Sequence, residues 1–407
     1  MAKKLTSVLG LDIGSQKIKI AEVRLQGREP VISAIGMVDT PEGAVDHTGV
    51  YNPDAVGAAV KQAIADAGAS VPQVVVSIAG QASVLVRTLP VPRMNPTELK
   101  EHMQWEINRN IPFAESDVQA DFKALPDDDP NSANIDVVMA IAPRSAIDTM
   151  IACVKKSGKN AAAIDVEPLG LARSLTQSYD DVLQNQTVCL VDMGHKSTAI
   201  NIYRNGKLLQ PRQIPIGGEM FTKAISDGLN VSNDEAEKLK REQGEIPEEA
   251  VVAGSSDPFA SGGATQQFTP YNPFSDDPAP AAGGTGYDPM AGAPEPSTAM
   301  VTSSAGATTV FNAMAPVLDE FLAEVRRSID YFRSRDGEID RIVLCGGGTK
   351  LRGLAEFLSK SLAISTENYD PLRRIQVNAR KVEPGFLDAH RQEFAVAVGN
   401  GLHILFD

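Results

Sequence analysis

Apolar and polar positions alternate through the start of the chain in three short runs. Ser7 to Ile13 is almost wholly apolar, Lys17 to Leu25 reads KIKIAEVRL, and Glu29 to Val38 continues after a Gln26, Gly27 turn. Period-two runs broken by such turns predict an antiparallel meander. The period then lengthens: Val56, Val60, Ile64 and Ala67 share one face of a helix opened by Asn52 and Pro53 and ended by Gly68. A strand, PQVVVSIAG, follows.

The texture changes at Ser83. SVLVRTLPVP leads to Asn95, Pro96, Thr97 and Glu98, a reciprocal cap in which Asn accepts from the third helical N–H and Glu reaches back. Leu99, Met103 and Ile107 recur every fourth residue until Pro112. Trp105 lies off that line; a lone Trp on such a helix is expected in the core rather than at a groove. Asp121 to Leu125 and Ile135 to Ile141 read as strands, and Arg144 to Lys156 as a second helix. Residues 83–159 thus predict a small mixed unit inserted into a first half made of 1–82 and 160–184.

The opening plan then repeats. Ala161 to Val166 runs into a helix from Pro168, and Thr187 to Asp192, Ser197 to Tyr203 and Lys207 to Gln213 form a second meander. LGLDIGSQKIKI in the first meander matches CLVDMGHKSTAI in the second, an internal duplication that predicts an α/β fold of two similar halves around a cleft. The second half is expected over 185–244 and again over 308–407. Helices follow Gly217 and Ser232. Val310, Met314, Val317, Phe321, Val325, Ile329 and Phe332 trace one face of a long helix. RIVLC is a strand running into glycines, with a helix expected from Thr349, and EFAVAVGNGLHILF is a closing helix.

Residues 245–307 read differently. Seven Gly and eight Pro fall within 251–300, with five acids and no base, a composition that predicts a disordered insertion. Its Phe268, Tyr271, Phe274 and Tyr287 are read as tolerated surface residues. The 407-residue chain carries 38 basic and 52 acidic side chains, net −14, but twelve acids and no base fall between Glu242 and Val325. Forty acids against thirty-eight bases remain, too even a balance for nonspecific nucleic-acid binding. No apolar run reaches the roughly 18 residues of a spanning helix, so a cytoplasmic chain without membrane insertion is expected. Cys153, Cys189 and Cys345 stand apart among apolar residues and are read as buried fillers.

The chemistry gathers at the turns. Asp12, Ile13, Gly14 and Ser15 close a hairpin after a buried strand, where glycine leaves room for a phosphate and successive N–H groups point outward. Asp192, Met193 and Gly194, followed by Ser197 and Thr198, repeat it in the matching place. Two such turns across one cleft would clamp a polyphosphate, each Asp holding Mg²⁺ directly or through water. Gly346, Gly347 and Gly348 add a third turn at a strand's carboxyl end, where open α/β sheets bind ligands. Neither GxGxxG nor GxxxxGK[ST] occurs.

The order of these motifs resembles the actin-like ATPase superfamily of actin, Hsp70, FtsA and sugar kinases. LDIGS is similar to its first phosphate motif, IDVEPLGLA to its first connecting motif, LVDMGHKST to its second phosphate motif, IVLCGGGTKLRGL to its adenosine motif, and AVAVGNGL to its second connecting motif. The resemblance implies ATP with Mg²⁺. It places Asp12, Gly14, Ser15, Gln16 and Lys17 on one side, Asp192, Gly194, Ser197, Thr198, Gly217 and Gly218 on the other, and Gly346, Gly347, Gly348 and Leu351 beside them. Glu237, Lys240 and Arg241 match helix residues at adenosine and ribose, and Glu167 the acid that positions the attacking water. His195 and Lys196 replace inner glycines of the second phosphate motif, which implies slow or absent hydrolysis; His195 is expected to face solvent.

The unit at 83–159 sits where FtsA and the PilM family of the type IV pilus platform carry an extra subdomain. LPVPRMNPTELKEHMQWEINRNIPF, EVRRSIDYF and IDVEPLGLAR are similar to PilM sequences, and the end at Asp407 is expected to lack the amphipathic membrane tail of FtsA. The resemblance implies a cytoplasmic ATP-binding scaffold at the inner membrane. Such a scaffold takes the N-terminal cytoplasmic tail of PilN in the groove beside the inserted unit, links it to pilus motor ATPases, and leaves homo-oligomers open. A sugar or small-molecule kinase with Asp165 or Glu167 as base, and an FtsA-like division protein, stand as alternatives.

Overall fold

The structure, a computed structural model, describes residues 5–80, 83–113, 117–126, 131–248 and 305–406. Of the insertion expected to be disordered over 245–307, residues 249–304 lie outside the described residues, while its ends are ordered, since Glu245 bridges Arg352, Ile246 packs into the core and Ala305 opens a helix. Strands β1 (Ser7–Ile13), β2 (Lys17–Gln26) and β3 (Glu29–Asp39) pair antiparallel in chain order. Helix α1 (Pro53–Ala67) starts where the Asn52 side chain accepts the Ala55 N–H at 3.0 Å and stops at Gly68, which is left-handed. It crosses over to β4 (Gln73–Ile78), parallel to β1.

The inserted unit comprises β5 (Leu85–Pro92), α2 (Pro96–Asn110), β6 (Val118–Ala124) and β7 (Asn134–Pro143), its strands in the antiparallel order β5-β7-β6. Helix α3 (Arg144–Lys156), expected within the unit at 83–159, instead belongs to the first half, because Met150, Cys153 and Val154 bury its apolar face against Val56, Val60 and Val76. Asn95 and Glu98 form the reciprocal cap of α2. Met103 and Ile107 bury that helix against Val137, Met139 and Ile141. Trp105 is not in this core: it is 55% exposed, with the Arg109 guanidinium 4.5 Å above its ring. A position two residues from Met103 and Ile107 alike is turned about 200° from both, so the apolar line excludes it.

Strand β8 (Asn160–Val166) returns parallel to β4, and α4 (Glu167–Leu183) leads into β9 (Thr187–Met193), β10 (Thr198–Arg204) and β11 (Lys207–Ile214), the second meander. Then come α5 (Gly218–Leu229), α6 (Asn233–Gln243) and α7 (Ala305–Asp336). Phe321, Val325, Ile329 and Phe332 of α7 fill a core with Phe221, Ile225 and Ile342. Strand β12 (Arg341–Cys345) lies parallel to β9. The helix expected from Thr349 is instead a 3-10 turn, Gly347–Lys350, because the Thr349 hydroxyl donates back to Gly346 O at 2.8 Å; α8 (Leu354–Leu362) starts later, before β13 (Ser365–Asn368).

The end of the chain recrosses to the first half, contrary to the assignment of all of 308–407 to the second. Strand β14 (Gln376–Val377) pairs with β3, and after α9 (Phe386–His390) come α10 (Ala395–Gly401) and α11 (His403–Phe406). Ala397, Val398 and Leu402 share a core with Val8, Ala21 and Val23; small side chains let α10 slide between the first sheet and α4. The sheets are ordered β14-β3-β2-β1-β4-β8 and β11-β10-β9-β12-β13. Among the described residues no helix is long and apolar enough to cross a membrane.

One buried carboxylate pins this frame. Glu22 Oε2 accepts the Ser70 and Val71 N–H groups at 2.6 and 2.8 Å, while Oε1 accepts from Arg24 Nη2 at 2.7 Å and Ser33 Oγ at 2.7 Å. Burial opposes its charge, yet these donors hold its pKa below the usual glutamate value. The stability it contributes is therefore full above the unfolded-state pKa and is lost as pH falls through the folded one. Glu22→Gln should cost about 1–3 kcal/mol at pH 7 by turning one acceptor into a donor, with a smaller deficit at pH 4. Urea unfolding at both pH values checks this, and equal stability at pH 7 would contradict it.

Candidate functional site

Strands β1 and β9 each run buried to an aspartate, and the chain then turns through glycine. The Gly14 N–H donates to Lys17 O at 3.1 Å and the Gly194 N–H to Ser197 O at 2.9 Å, so the two turns are closed by the same bond. Both line one cavity of about 440 Å³ between the halves. The third wall is the turn after β12. Gly346 has φ 87°, and the space a side chain would take there is filled by Asp192 Oδ1 and Met193 O, so only glycine lets this backbone pass against the aspartate.

Charge is concentrated where the turns meet. Asp12 Oδ2 accepts from Lys19 Nζ at 2.8 Å, directly across the β1–β2 hairpin. Burial disfavours the ammonium, but Asp12, then Asp192 and Glu393, hold the Lys19 pKa above its usual value. Asp192 is pushed up to about 6 by burial and by Asp12. Glu167, first residue of α4, is pushed up to about 8 by burial, then by Asp192 and Asp12, against the pull of Lys19. Glu167 borders the cavity and keeps partial exposure.

The expected residues divide by position. Asp12, Gly14, Ser15, Gln16 and Lys17 line the cavity on one side, and Asp192, Gly194, Ser197 and Gly218 on the other. Gly346, Gly347, Gly348 and Leu351 form the wall between, and Glu167 the floor. Thr198 and Gly217 stand behind the wall. Thr198 is fully buried and its hydroxyl donates to Ile216 O at 2.6 Å, while Gly217 backs onto His195 O.

Glu237, Lys240 and Arg241 also reach the cavity, but Lys240 is committed elsewhere. Its Nζ donates to Gly218 O at 2.8 Å and Thr222 Oγ1 at 2.6 Å and pairs with Glu237 Oε2 at 2.7 Å, which accounts for all three donors of an ammonium. Burial lowers its pKa despite Glu237. Lys240 thus ties α5 to α6; Arg241, bound to Glu237 through Nε at 2.8 Å, remains the more exposed cation. His195 is half-buried at the cavity rather than facing solvent, with Nδ1 buried and, among the described residues, without a hydrogen-bond partner; burial lowers its pKa. Asp165 is turned away and engaged by Arg173 and by His403 Nδ1 at 3.3 Å, so the base expected of a kinase would fall to Glu167 alone.

Among the charged and titratable lining residues, sequence reading missed Lys19, Asp46, His47, Lys350, His390 and Glu393. Lys19 was within reach, since the hairpin register sets it opposite Asp12. Lys350 pairs with Glu393, whose Oε1 lies 2.7 Å from His390 Nδ1, a contact between segments some forty residues apart that no local pattern signals.

The residues fit Mg²⁺ with a polyphosphate. Among the described residues no group of three or more His, Cys, Asp and Glu side chains is placed to hold a metal alone. Two hard carboxylates beside glycine turns suit an ion that takes its other ligands from phosphates and water.

Comparison with known proteins agrees with this architecture. The family model for type IV pilus assembly protein PilM matches residues 10–264, and that for cell division protein FtsA matches 189–399. FtsA of Bacillus subtilis (strain 168) is 39% identical over 101 residues, 25% of this chain and 22% of that protein. FtsA of Neisseria meningitidis serogroup B is 26% identical over 255 residues, 56% of this chain and 59% of its own length. The chain therefore spans less than two thirds of these curated relatives. Among solved structures, a PilM–PilN type IV pilus biogenesis complex superposes with TM-score 0.75 at 25% identity, covering 99% of both chains. The ethanolamine utilization protein EutJ of Carboxydothermus hydrogenoformans, at TM-score 0.52, 14% identity and 98% and 91% coverage, shares the fold alone. The fold is that of the actin-like ATPases.

Proposed function

The chain belongs to the family of type IV pilus assembly protein PilM, and from that premise we propose that it is an ATP-binding scaffold of the pilus platform. It takes ATP with Mg²⁺ between its halves, holds the N-terminal cytoplasmic tail of PilN in the groove between the inserted unit and the first half, and links that tail to pilus motor ATPases. Attachment to the inner membrane then runs through the tail. The observation that carries the nucleotide part is the matched pair of closed turns on one cavity, with Asp12, Asp192 and Lys19 between them. Bound Mg²⁺ would offset phosphate charge. Asp12 and Asp192 would hold the ion, Lys19 would move its ammonium between Asp12 and a phosphate oxygen, and the glycines leave the backbone accessible to the chain of phosphates. The PilN part is supported by the likeness over the whole chain to a PilM solved with PilN.

Asp12→Ala and Asp192→Ala should each weaken Mg·ATP binding by about 1–3 kcal/mol, roughly ten- to a hundredfold, as a lost charged contact. Isothermal titration measures it; wild-type affinity in both variants would remove the site. For the tail, a synthetic peptide of the PilN N-terminus is titrated into the protein and into a folded form lacking 85–143, a deletion that spares α3. Equal affinity would displace the groove, and no binding to either would remove PilN as partner.

A further inference from the structure

The second phosphate turn and the start of α5 spend three backbone donors on each other. The Gly194 N–H donates to Ser197 O at 2.9 Å, the Gly218 N–H to Gly194 O at 3.0 Å and the Glu219 N–H to His195 O at 2.8 Å. The backbone of His195 is clamped as well: a Cβ on Gly217 would lie 2.4 Å from His195 O and 2.7 Å from Ser197 N, so the turn rests directly on the helix that follows. Beside these spent donors stands the His195 side chain, which lines the cavity. Its Nδ1 is shut away from solvent and, among the described residues, has no hydrogen-bond partner. Of the two ring nitrogens it is the only one so isolated, which leaves Nε2 on the open side, toward the cavity. Burial lowers the pKa of the ring, against the pull of Glu219 and Glu237 and with the push of Lys240 and Lys196, so at neutral pH the imidazole is uncharged and carries one proton. A buried Nδ1–H without an acceptor would forfeit a hydrogen bond, so that proton resides on Nε2.

We propose that His195 is a ligand-binding residue of the cleft that donates its Nε2–H to a phosphate oxygen of the bound nucleotide, a role that rests on the nucleotide reading above. The ring suits an acceptor-only partner: Nε2 offers a proton and no lone pair, and phosphate oxygens accept without donating. The two cations nearest in charge to the ring are already paired, Lys196 with Glu219 at 3.8 Å and Lys240 with Glu237 at 2.7 Å, which leaves the imidazole as a directed donor on this wall. Where the related motif carries an inner glycine, a side chain thus takes over work that open backbone does elsewhere. The isolated Nδ1 is the other half of the argument. An imidazole serving only to fill space would give way without loss to an apolar side chain of similar size, whereas one that serves a ligand carries an unpaired nitrogen in the empty protein because its bond forms only in the complex.

The test compares the wild type, His195→Leu and His195→Gln as full chains, by calorimetric titration with Mg·ADP and by thermal unfolding without ligand. His195→Leu should weaken binding by about tenfold or more, the loss of a hydrogen bond to a charged group. Its thermal midpoint should stand at or above that of the wild type, since the isolated Nδ1 leaves with the ring. His195→Gln, whose amide N–H reaches the place of Nε2, should bind within about threefold of the wild type. The ratio of wild-type to His195→Leu affinity should be the same for dideoxy-ADP, which lacks both ribose hydroxyls. Wild-type affinity in His195→Leu, a lowered midpoint in that variant, or a His195→Gln as weak as His195→Leu overturns the role. So does a ratio that vanishes with dideoxy-ADP, which would put the ring on the ribose. Absence of Mg·ADP binding by the wild type overturns the nucleotide reading, and this role with it.

Discussion

Gly399→Ala should be among the most destabilising single methyl additions at the described residues. A Cβ on Gly399 would lie 2.5 Å from the carbonyl carbon of Gly170 and closer still to its oxygen, so the methyl meets the backbone of α4 and not a movable side chain. Helix α10 cannot back away, because its opposite face is just as tight: a Cβ on Gly401 would lie 3.2 Å from Ala21 O and nearer to Val23 Cγ2, and one on Gly10 would be 3.0 Å from Gly401 Cα and nearer still to the α10 backbone. The Arg173 Nε–H to Gly399 O bond of 3.1 Å and the Asn400 Nδ2 bonds to Leu11 O and Ser77 Oγ at 2.8 and 3.1 Å hold the same helix in register. Overpacking typically costs about 1–3 kcal/mol and more where backbone must shift, and a domain has only about 5–15 kcal/mol in total. Chemical denaturation of Gly399→Ala should show a loss of about 3 kcal/mol or more, the upper end of that range. Gly347→Ala is the control: its methyl would meet only the Glu393 carboxylate, with Oε2 at 3.5 Å, so the fold should keep wild-type stability. Equal stability of Gly399→Ala and wild type would mean that α4 and α10 cross with room to spare.

That crossing illustrates which features local patterns report. The meanders, the Asn52 and Asn95 caps and the buried line of α7 follow from side-chain period and capping chemistry within a few residues of each other, and they stand in the fold as read. The twin turns are legible for the same reason, since each is a strand, an aspartate and a glycine in sequence. What escapes depends on long-range closure. The recrossing of α10 to the first sheet, the burial of Thr198 behind its own turn and the Lys350–Glu393 pair are decided by which surfaces meet, whereas the exposure of Trp105 is legible in the helical period that sets it off the Met103–Ile107 line. Lys240 is the instructive case within the site: its spacing on α6 matches a nucleotide contact, but the meeting of α5 and α6 consumes its donors.

Glu167→Gln should make the protein more stable at high pH, an outcome opposite to the usual loss when a carboxylate is removed. Burial, Asp192 and Asp12 push the Glu167 pKa up to about 8, so at pH 7 the folded protein keeps this proton while the unfolded chain has lost it. A raised folded-state pKa gives stability that is fully present below the unfolded value near 4.5 and is lost as pH rises through about 8. Glutamine copies the protonated acid in shape and charge and has no proton to lose. The variant should therefore nearly match the wild type at pH 5 and exceed it at pH 9 by a few kcal/mol, since each tenfold difference in proton affinity between the folded and unfolded chain is worth about 1.4 kcal/mol. Urea midpoints at the two pH values measure this, and a variant less stable than wild type at pH 9 would mean that Glu167 is ionised and paired in the native state. The same proton bears on turnover. An acid that positions water must also be able to accept its proton, and on the function proposed above a Glu167 that kept its proton at pH 7 would be a poor acceptor. On that function, phosphate release from Mg·ATP should rise toward pH 9 in the wild type and stay flat in Glu167→Gln; parallel profiles in the two would take Glu167 out of the chemistry.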